Sequence, residues 1–181
     1  MIPKIRKILY ATDLSQNSAY AFRYAINSAM HHEADIHILH VLEIRMFPFS
    51  PPEEGIGTLY EGPRYVEKLE KFDADQKRLA KEEIKKRLEQ FCQRELKDRP
   101  ECINRVASIE VVEGDPAGTI LQLAEESKAV LVFMGTHSKG ALAHAFLGSV
   151  AESVLQRIKI PVFIIPIPEK KEMVTHANGS L

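Results

Sequence analysis

Residues 108–140 read SIEVVEGDPAGTILQLAEESKAVLVFMGTHSKG, and this stretch decides the fold class. Ser108 to Glu113 is a strand-like run. Gly114-Asp115-Pro116-Ala117 then opens a helix, with Asp115 as N-cap and Pro116 in the first turn, where a missing N–H leaves no gap in the helical bonding. Ile120, Leu121 and Ala124 recur at helical spacing and form its buried side. Ala129 to Met134 is apolar throughout, the pattern of a strand covered on both faces in a parallel sheet. Strand, capped helix and strand in sequence make one right-handed β-α-β crossover.

The same rhythm extends both ways. Downstream, a Gly-bearing segment from Gly135 to Gly148 leads into a final helix with Val150, Val154, Leu155 and Ile158 inward, and Pro161 to Ile165 is a fifth strand. Upstream, Lys7-Ile8-Leu9-Tyr10-Ala11 is a first strand, and Thr12-Asp13-Leu14-Ser15 is a strand-to-helix turn with Ser15 as N-cap. Ala19, Phe22, Ile26, Ala29 and Met30 form a helical stripe to about His32, and Asp35 to Leu42 is a second strand. Glu43 to Pro63 crowds Pro48, Pro51, Pro52, Gly55, Gly57, Gly62 and Pro63 into a loop, either mobile or a lid. Tyr65 to Lys97 is a long helix whose alternating Lys and Glu read as a solvated face. The expected architecture is α/β: an open five-stranded parallel sheet with helices on both faces. One domain spans residues 1–168, with 43–63 as a loop insertion, and 169–181 form a flexible tail.

Composition narrows the function. A chain of 181 residues fits one domain, and 45% hydrophobic with 27% charged residues supports a core without disulfides or metals. A formal charge of -1 provides no general attraction to nucleic acid. Cys92 and Cys102 lie ten positions apart with no CxxC spacing, which argues for a reducing compartment. Met1 to Arg6 leads straight into a strand without the features of a signal peptide, and no segment is long enough to span a membrane. The expectation is a cytoplasmic protein without nucleic-acid or membrane partners.

In open parallel sheets ligands bind beyond the carboxyl ends of strands, where the winding reverses, which here selects the turns at Ala11 to Ser15 and at Gly135 to Ser149. Gly135-Thr136-His137-Ser138-Lys139-Gly140 follows a buried strand, and Gly148-Ser149 precedes the last helix. Glycines let backbone N–H groups approach an anion, Thr136, Ser138 and Ser149 offer hydroxyls, and Lys139 offers a point charge to phosphate. A phosphorylated ligand fits this pattern. Simple turn-making accounts for the same glycines.

Lys7 to Ser15, His40-Val41, Val112 to Pro116, Met134 to His137 and Leu147 to Glu152 resemble, in order, segments of the universal stress protein family, over about Arg6 to Pro166. The resemblance implies a Rossmann-like five-stranded parallel sheet, dimers, and membership of either an ATP-binding or a non-binding branch. Binding members share Gly, two residues, Gly, nine residues, Gly, then Ser or Thr. Gly135, Gly148 and Ser149 keep that spacing, but the middle glycine is Ser138, which would cost on the order of 1 kcal/mol at a positive φ. Ala11 stands where many binding members have Pro. Position by position, the resemblance puts Ala11, Thr12 and Asp13 on the base and ribose side and Val41 against adenine. It wraps Met134, Gly135, Thr136, His137, Ser138, Lys139 and Gly140 around ribose and phosphates, and has Gly148, Ser149 and Val150 present helix N-terminal amides. The implied ligand is ATP or AMP, with magnesium accompanying ATP. Asp13 also reads as an ordinary turn or cap residue.

Other chemistry is poorly supported. The chain has neither a Gly-x4-Gly-Lys-Ser/Thr loop nor a dinucleotide fingerprint after its first strand. His37 and His40 are an odd number apart on a strand, so they point to opposite faces and share no metal. His31 and His32 suit a helix C-terminus. His137 and Ser138 lack a Gly-x-Ser-x-Gly elbow. No catalytic residue or metal ligand is assigned, and hydrolysis of ATP is expected to be slow at most. The alternative function is a nucleotide-free member of the family acting through protein contacts, with the 43–63 loop and the long helix as its surface. A homodimer is expected through the last strand, Pro161 to Ile165, an apolar edge without Lys or Glu that resembles the family's dimer strand.

Overall fold

Successive side chains along β1 (Lys7–Ala11) point to opposite faces, so Ile8 and Tyr10 enter one core and Leu9 and Ala11 another. A computed structural model describes residues 2–15, 18–43, 62–136 and 147–166. After β1 come α1 (Ser18–His32), β2 (Asp35–Leu42), α2 (Gly62–Glu95), a 3-10 turn (Pro100–Arg105), β3 (Val106–Glu113), α3 (Pro116–Glu126), β4 (Leu131–Gly135), α4 (Ser149–Leu155) and β5 (Val162–Ile165). The five strands form one sheet in the order β3-β2-β1-β4-β5, with every pairing parallel. Ala11 is opposite Leu39 on one side and Met134 on the other, which fixes β1 at the centre.

Each face of the sheet has its own core. Ile8, Tyr10, Ile36, Ile38 and Phe133 pack with Phe22 and Ala25 of α1 and Leu88 and Phe91 of α2. Tyr10 and Phe22 rings lie 5.5 Å apart, and Phe22 and Phe91 rings 5.2 Å, a continuous aromatic line from sheet to outer helix. Leu9, Leu39, Val132 and Met134 pack on the other face with Ile120 and Ala124 of α3 and Ala151 and Val154 of α4. Fully burying a side chain of this size contributes roughly 1.5–3 kcal/mol, so two cores stabilise the sheet from both sides.

Several boundaries differ from the sequence expectation. α1 is described from Ser18, with residues 16 and 17 outside the described ones, and the Ser15 carbonyl accepts from both the Ser18 amide (3.1 Å) and the Ser18 hydroxyl (2.7 Å). α2 begins at Gly62, so the expected 43–63 loop ends sooner, and residues 44–61 lie outside the described ones. Its exposed i,i+4 pairs, Arg78 with Glu82 and Arg87 with Glu83, form the expected solvated face. β3 starts two residues early, because a bulge slips Ala107 in between Val106, opposite Ile36, and Ser108, opposite His37. β4 runs from Leu131 to Gly135, shifted by the chain reversal that ends α3. There, Lys128 has φ 54° and the Ala129 amide reaches back to Ala124. α1 ends the same way, with Glu33 at φ 52° and the Ala34 amide on Ala29. Both are six-to-one helix stops built without glycine. β5 excludes Pro161, whose carbonyl still accepts from Val132. The expected tail, 169–181, lies outside the described residues. Among the described residues no helix is long and apolar enough to cross a membrane.

One titratable group couples the sheet to pH. His37 Nδ1 is 2.8 Å from Ser108 Oγ, which donates to Glu110 Oε1 at 3.0 Å. Burial, aided by Lys7, lowers the His37 pKa below its ordinary value. The unfolded chain therefore binds this proton more readily than the folded one, so stability rises with pH across the window below about 6.5. The unfolding temperature is expected to fall as pH drops through that window, and His37→Gln should flatten the slope. Thermal unfolding monitored by circular dichroism between pH 7.5 and 5 checks this, and equal slopes for both proteins would refute it.

Candidate functional site

The sheet order places β1 beside β4 although the chain leaves them on opposite faces, toward α1 from the one and α4 from the other. A cleft of about 550 Å³ opens there at the carboxyl ends of β1, β2 and β4.

Its first wall is the turn after β1. Thr12 donates its N–H to the Leu39 carbonyl at 2.9 Å, and His40 Nδ1 donates to the Thr12 carbonyl at 2.9 Å. Thr12 Oγ1 accepts from the Leu14 amide (3.2 Å) and Asp13 Oδ1 from the Ser15 amide (3.0 Å), a pair of local bonds that lets Leu14 hold φ 58°. Below the turn, Tyr10 donates its hydroxyl to the Ser18 carbonyl at 2.7 Å. Burial pushes the Tyr10 pKa up, so the phenol stays neutral and keeps donating. The second wall is the end of β2, with Leu39, His40, Val41 and Glu43. The third is Met134, Gly135 and Thr136 at the end of β4, anchored by the Thr136 amide on the Ile165 carbonyl at 3.0 Å. Leu147 to Ala151 form the fourth, and Pro116 and Ile120 of α3 close the floor.

α3 reaches the cleft because Asp115 caps it, its carboxylate accepting the Gly118 amide at 2.7 Å. Gly114 precedes the cap at φ 154°, where a Cβ would sit 2.6 Å from Thr119 Oγ1. Gly148 begins α4 at φ 69° and ψ 136°, a conformation that essentially only glycine adopts. Gly135 is different: among the described residues an added Cβ would meet Ala21 alone, at 3.8 Å, an ordinary contact.

Ten of the residues singled out in the sequence line this one cleft: Ala11, Thr12, Asp13, Val41, Met134, Gly135, Thr136, Gly148, Ser149 and Val150. His137, Ser138, Lys139 and Gly140 lie outside the described residues. The sequence reading missed Pro116, Ile120, Leu147, Glu43 and, most usefully, His40 as wall residues. Its neighbour Val41 was the available signal. His37 and His40 do go to separate partners, on β3 and on the β1 turn. The lining combines an apolar slot from Leu39, Val41, Met134 and Ile120 with hydroxyls, carboxylates of Asp13 and Glu43, and no Lys or Arg among the described residues. Among those residues no three His, Cys, Asp or Glu side chains cluster for a metal. Such a site can hold a flat apolar group with a polar, hydroxyl-bearing extension.

A sequence profile described as the universal stress protein family matches residues 4–166. Universal stress protein MJ0531 of Methanocaldococcus jannaschii is 31% identical over 166 residues, covering 92% of this chain and 85% of that one. Among solved structures, hypothetical protein MJ0577 superposes with a TM-score of 0.66 at 24% identity, over 93% of this chain and 100% of that chain. A universal stress protein solved in complex with cAMP superposes with a TM-score of 0.52 at 22% identity, over 91% of this chain and 98% of that chain.

The backbone at Gly148 yields a direct test of the fourth wall. Gly148→Ala should destabilise the fold by about 1–3 kcal/mol, the usual strain of an L-residue in that region. Urea denaturation measures it, and an unchanged midpoint would show that the chain does not depend on this conformation.

Proposed function

The chain belongs to the universal stress protein family, and from that premise we propose that it binds an adenine nucleotide in the cleft between β1 and β4 and works as a ligand-responsive signalling module. The observation that carries the reading is that the β1 turn and the two described ends of the second turn, Gly135-Thr136 and Gly148-Ser149, line one cleft of about 550 Å³, within the range of small-molecule sites. In this reading adenine lies in the slot of Val41, Met134 and Ile120, the ribose meets Thr12 and Asp13, and the phosphates face Thr136 and the amides of Gly148, Ser149 and Val150. His137, Ser138, Lys139 and Gly140 would complete the phosphate side. The relative solved with cAMP supports an adenine ligand of this size.

The charges of the wall qualify the ligand. Asp13 and Glu43 are carboxylates in a cleft meant for anionic phosphates, and like charges at short range repel. A magnesium ion carried by the triphosphate would offset that repulsion, since phosphate and carboxylate oxygens are the donors it prefers. The same two carboxylates favour the second reading, a module that works through protein contacts without nucleotide.

Assembly follows from the last strand. β5 is the sheet edge, and Phe163 on it is 52% exposed while its ring lies 5.0 Å from that of Phe133. An apolar side chain left at an open edge suits pairing with a second copy of the strand across a twofold axis.

Two measurements test these proposals. Equilibrium dialysis with labelled ATP, AMP and cAMP should give saturable binding, with ATP tighter when magnesium is present. Absence of saturation at millimolar ligand would leave the second reading standing. Light scattering at micromolar concentration should give the mass of two chains, and Phe163→Lys should shift it toward one chain. A wild-type mass of one chain throughout would end the dimer proposal.

A further inference from the structure

We propose that His40 is the positioning residue of the cleft: its imidazole replaces a main-chain rung between β2 and β1 and so holds the Thr12 and Asp13 wall open in a ligand-accepting shape. What that shape accepts rests on the nucleotide reading above; the positioning itself rests on hydrogen-bond geometry.

Rungs between parallel strands follow a fixed order, in which a residue donates its N–H to one residue of the neighbour and accepts at its carbonyl from the N–H two positions further on. Thr12 donates to the Leu39 carbonyl at 2.9 Å, so an uninterrupted ladder would next bring the Val41 N–H to the Thr12 carbonyl. The structure instead puts His40 Nδ1 on that carbonyl at 2.9 Å, one residue beyond the last paired position, Ala11 with Leu39. Where the pairing of β1 with β2 ends, at Ala11 and Leu39, the next carbonyl is left without its main-chain partner, and an unpaired backbone group is costly where water is scarce. A side chain has more reach than an amide hydrogen. His40 therefore lets β1 part from β2 while the Thr12 carbonyl stays satisfied.

The bond also fixes the chemistry of the ring. A carbonyl only accepts, so Nδ1 carries the proton of this bond. The bonds from Leu14 to Thr12 Oγ1 and from Ser15 to Asp13 Oδ1 shape the turn locally but do not attach it to the sheet. Thr12, held at its N–H by Leu39 and at its carbonyl by His40, is the attachment.

Three substitutions separate this role from mere packing. Asn carries its amide nitrogen at the δ position, matching Nδ1, whereas Gln carries it at the ε position and Leu has no donor. His40→Asn should keep the affinity for labelled ATP or AMP within about threefold of wild type, and His40→Gln and His40→Leu should weaken it by about tenfold or more. In ligand-free protein, the Leu14 and Ser15 amides should exchange faster in His40→Leu while the thermal unfolding of the sheet is retained, and nitrogen NMR of the wild type should show His40 protonated at Nδ1. The proposal is overturned if His40→Leu matches wild type in exchange and affinity, if His40→Asn does no better than His40→Leu at equal stability, or if His40 carries its proton at Nε2 alone. Should wild type bind no nucleotide while exchange and tautomer behave as expected, the nucleotide reading fails and the positioning role stands. Should nucleotide bind wild type and His40→Leu equally, with Leu14 and Ser15 exchange also unchanged, the reverse holds.

Discussion

β1 has strands on both edges and side chains packed on both faces, and its neighbours at the carboxyl end, β2 and β4, send the chain away on different sides. That winding reversal is the constraint from which the site follows. A right-handed crossover carries each connection to one face, so among the described residues no helix lies directly over the gap between β1 and β4. The cleft is what remains where neither layer of helices closes over the strand ends. Its walls are therefore the ends of the best-buried strands, which makes them rigid, while the groups they present belong to turns.

The turns after β1 and β3 are tied by local bonds of their own. Asp13, Thr12 and Asp115 each use a side-chain oxygen to accept a nearby backbone N–H. Asp13 thus has a structural occupation whatever it does toward a ligand, and one of its carboxylate oxygens is already engaged by Ser15. Gly148 adds backbone freedom at the one wall where the chain must turn sharply into a helix.

Much of this was legible in the residues. The largely apolar runs at Lys7 to Ala11, Asp35 to Leu42 and Ala129 to Met134 named the central strands, because a strand covered on both faces need not alternate. The Asp115-Pro116 cap was equally plain. The start of β3 was not, since Ala107 is an extra residue set by pairing with another strand. Glu33 and Lys128 end helices at positive φ, where sequence rules look for glycine. In the sequence His40 stands out only beside Val41 in a family-like segment and in a dismissed metal pair with His37, since its partner is a carbonyl 28 positions away and spacing carries no trace of it. Pro116 and Ile120 entered the cleft through helix packing, which local pattern cannot foresee.

The core face shared by α1 and α2 also holds the chain's two cysteines, Cys92 and Cys102, each 1% exposed and unpaired. Burial pushes the Cys92 thiol up to about 12, and only a thiolate reacts readily with electrophiles or oxidants. While the outer helix is docked, Cys92 is thus chemically mute toward such reagents. Alkylation of Cys92 can proceed only when the seam between α2 and the sheet opens, so its rate clocks how often that part of the molecule breathes.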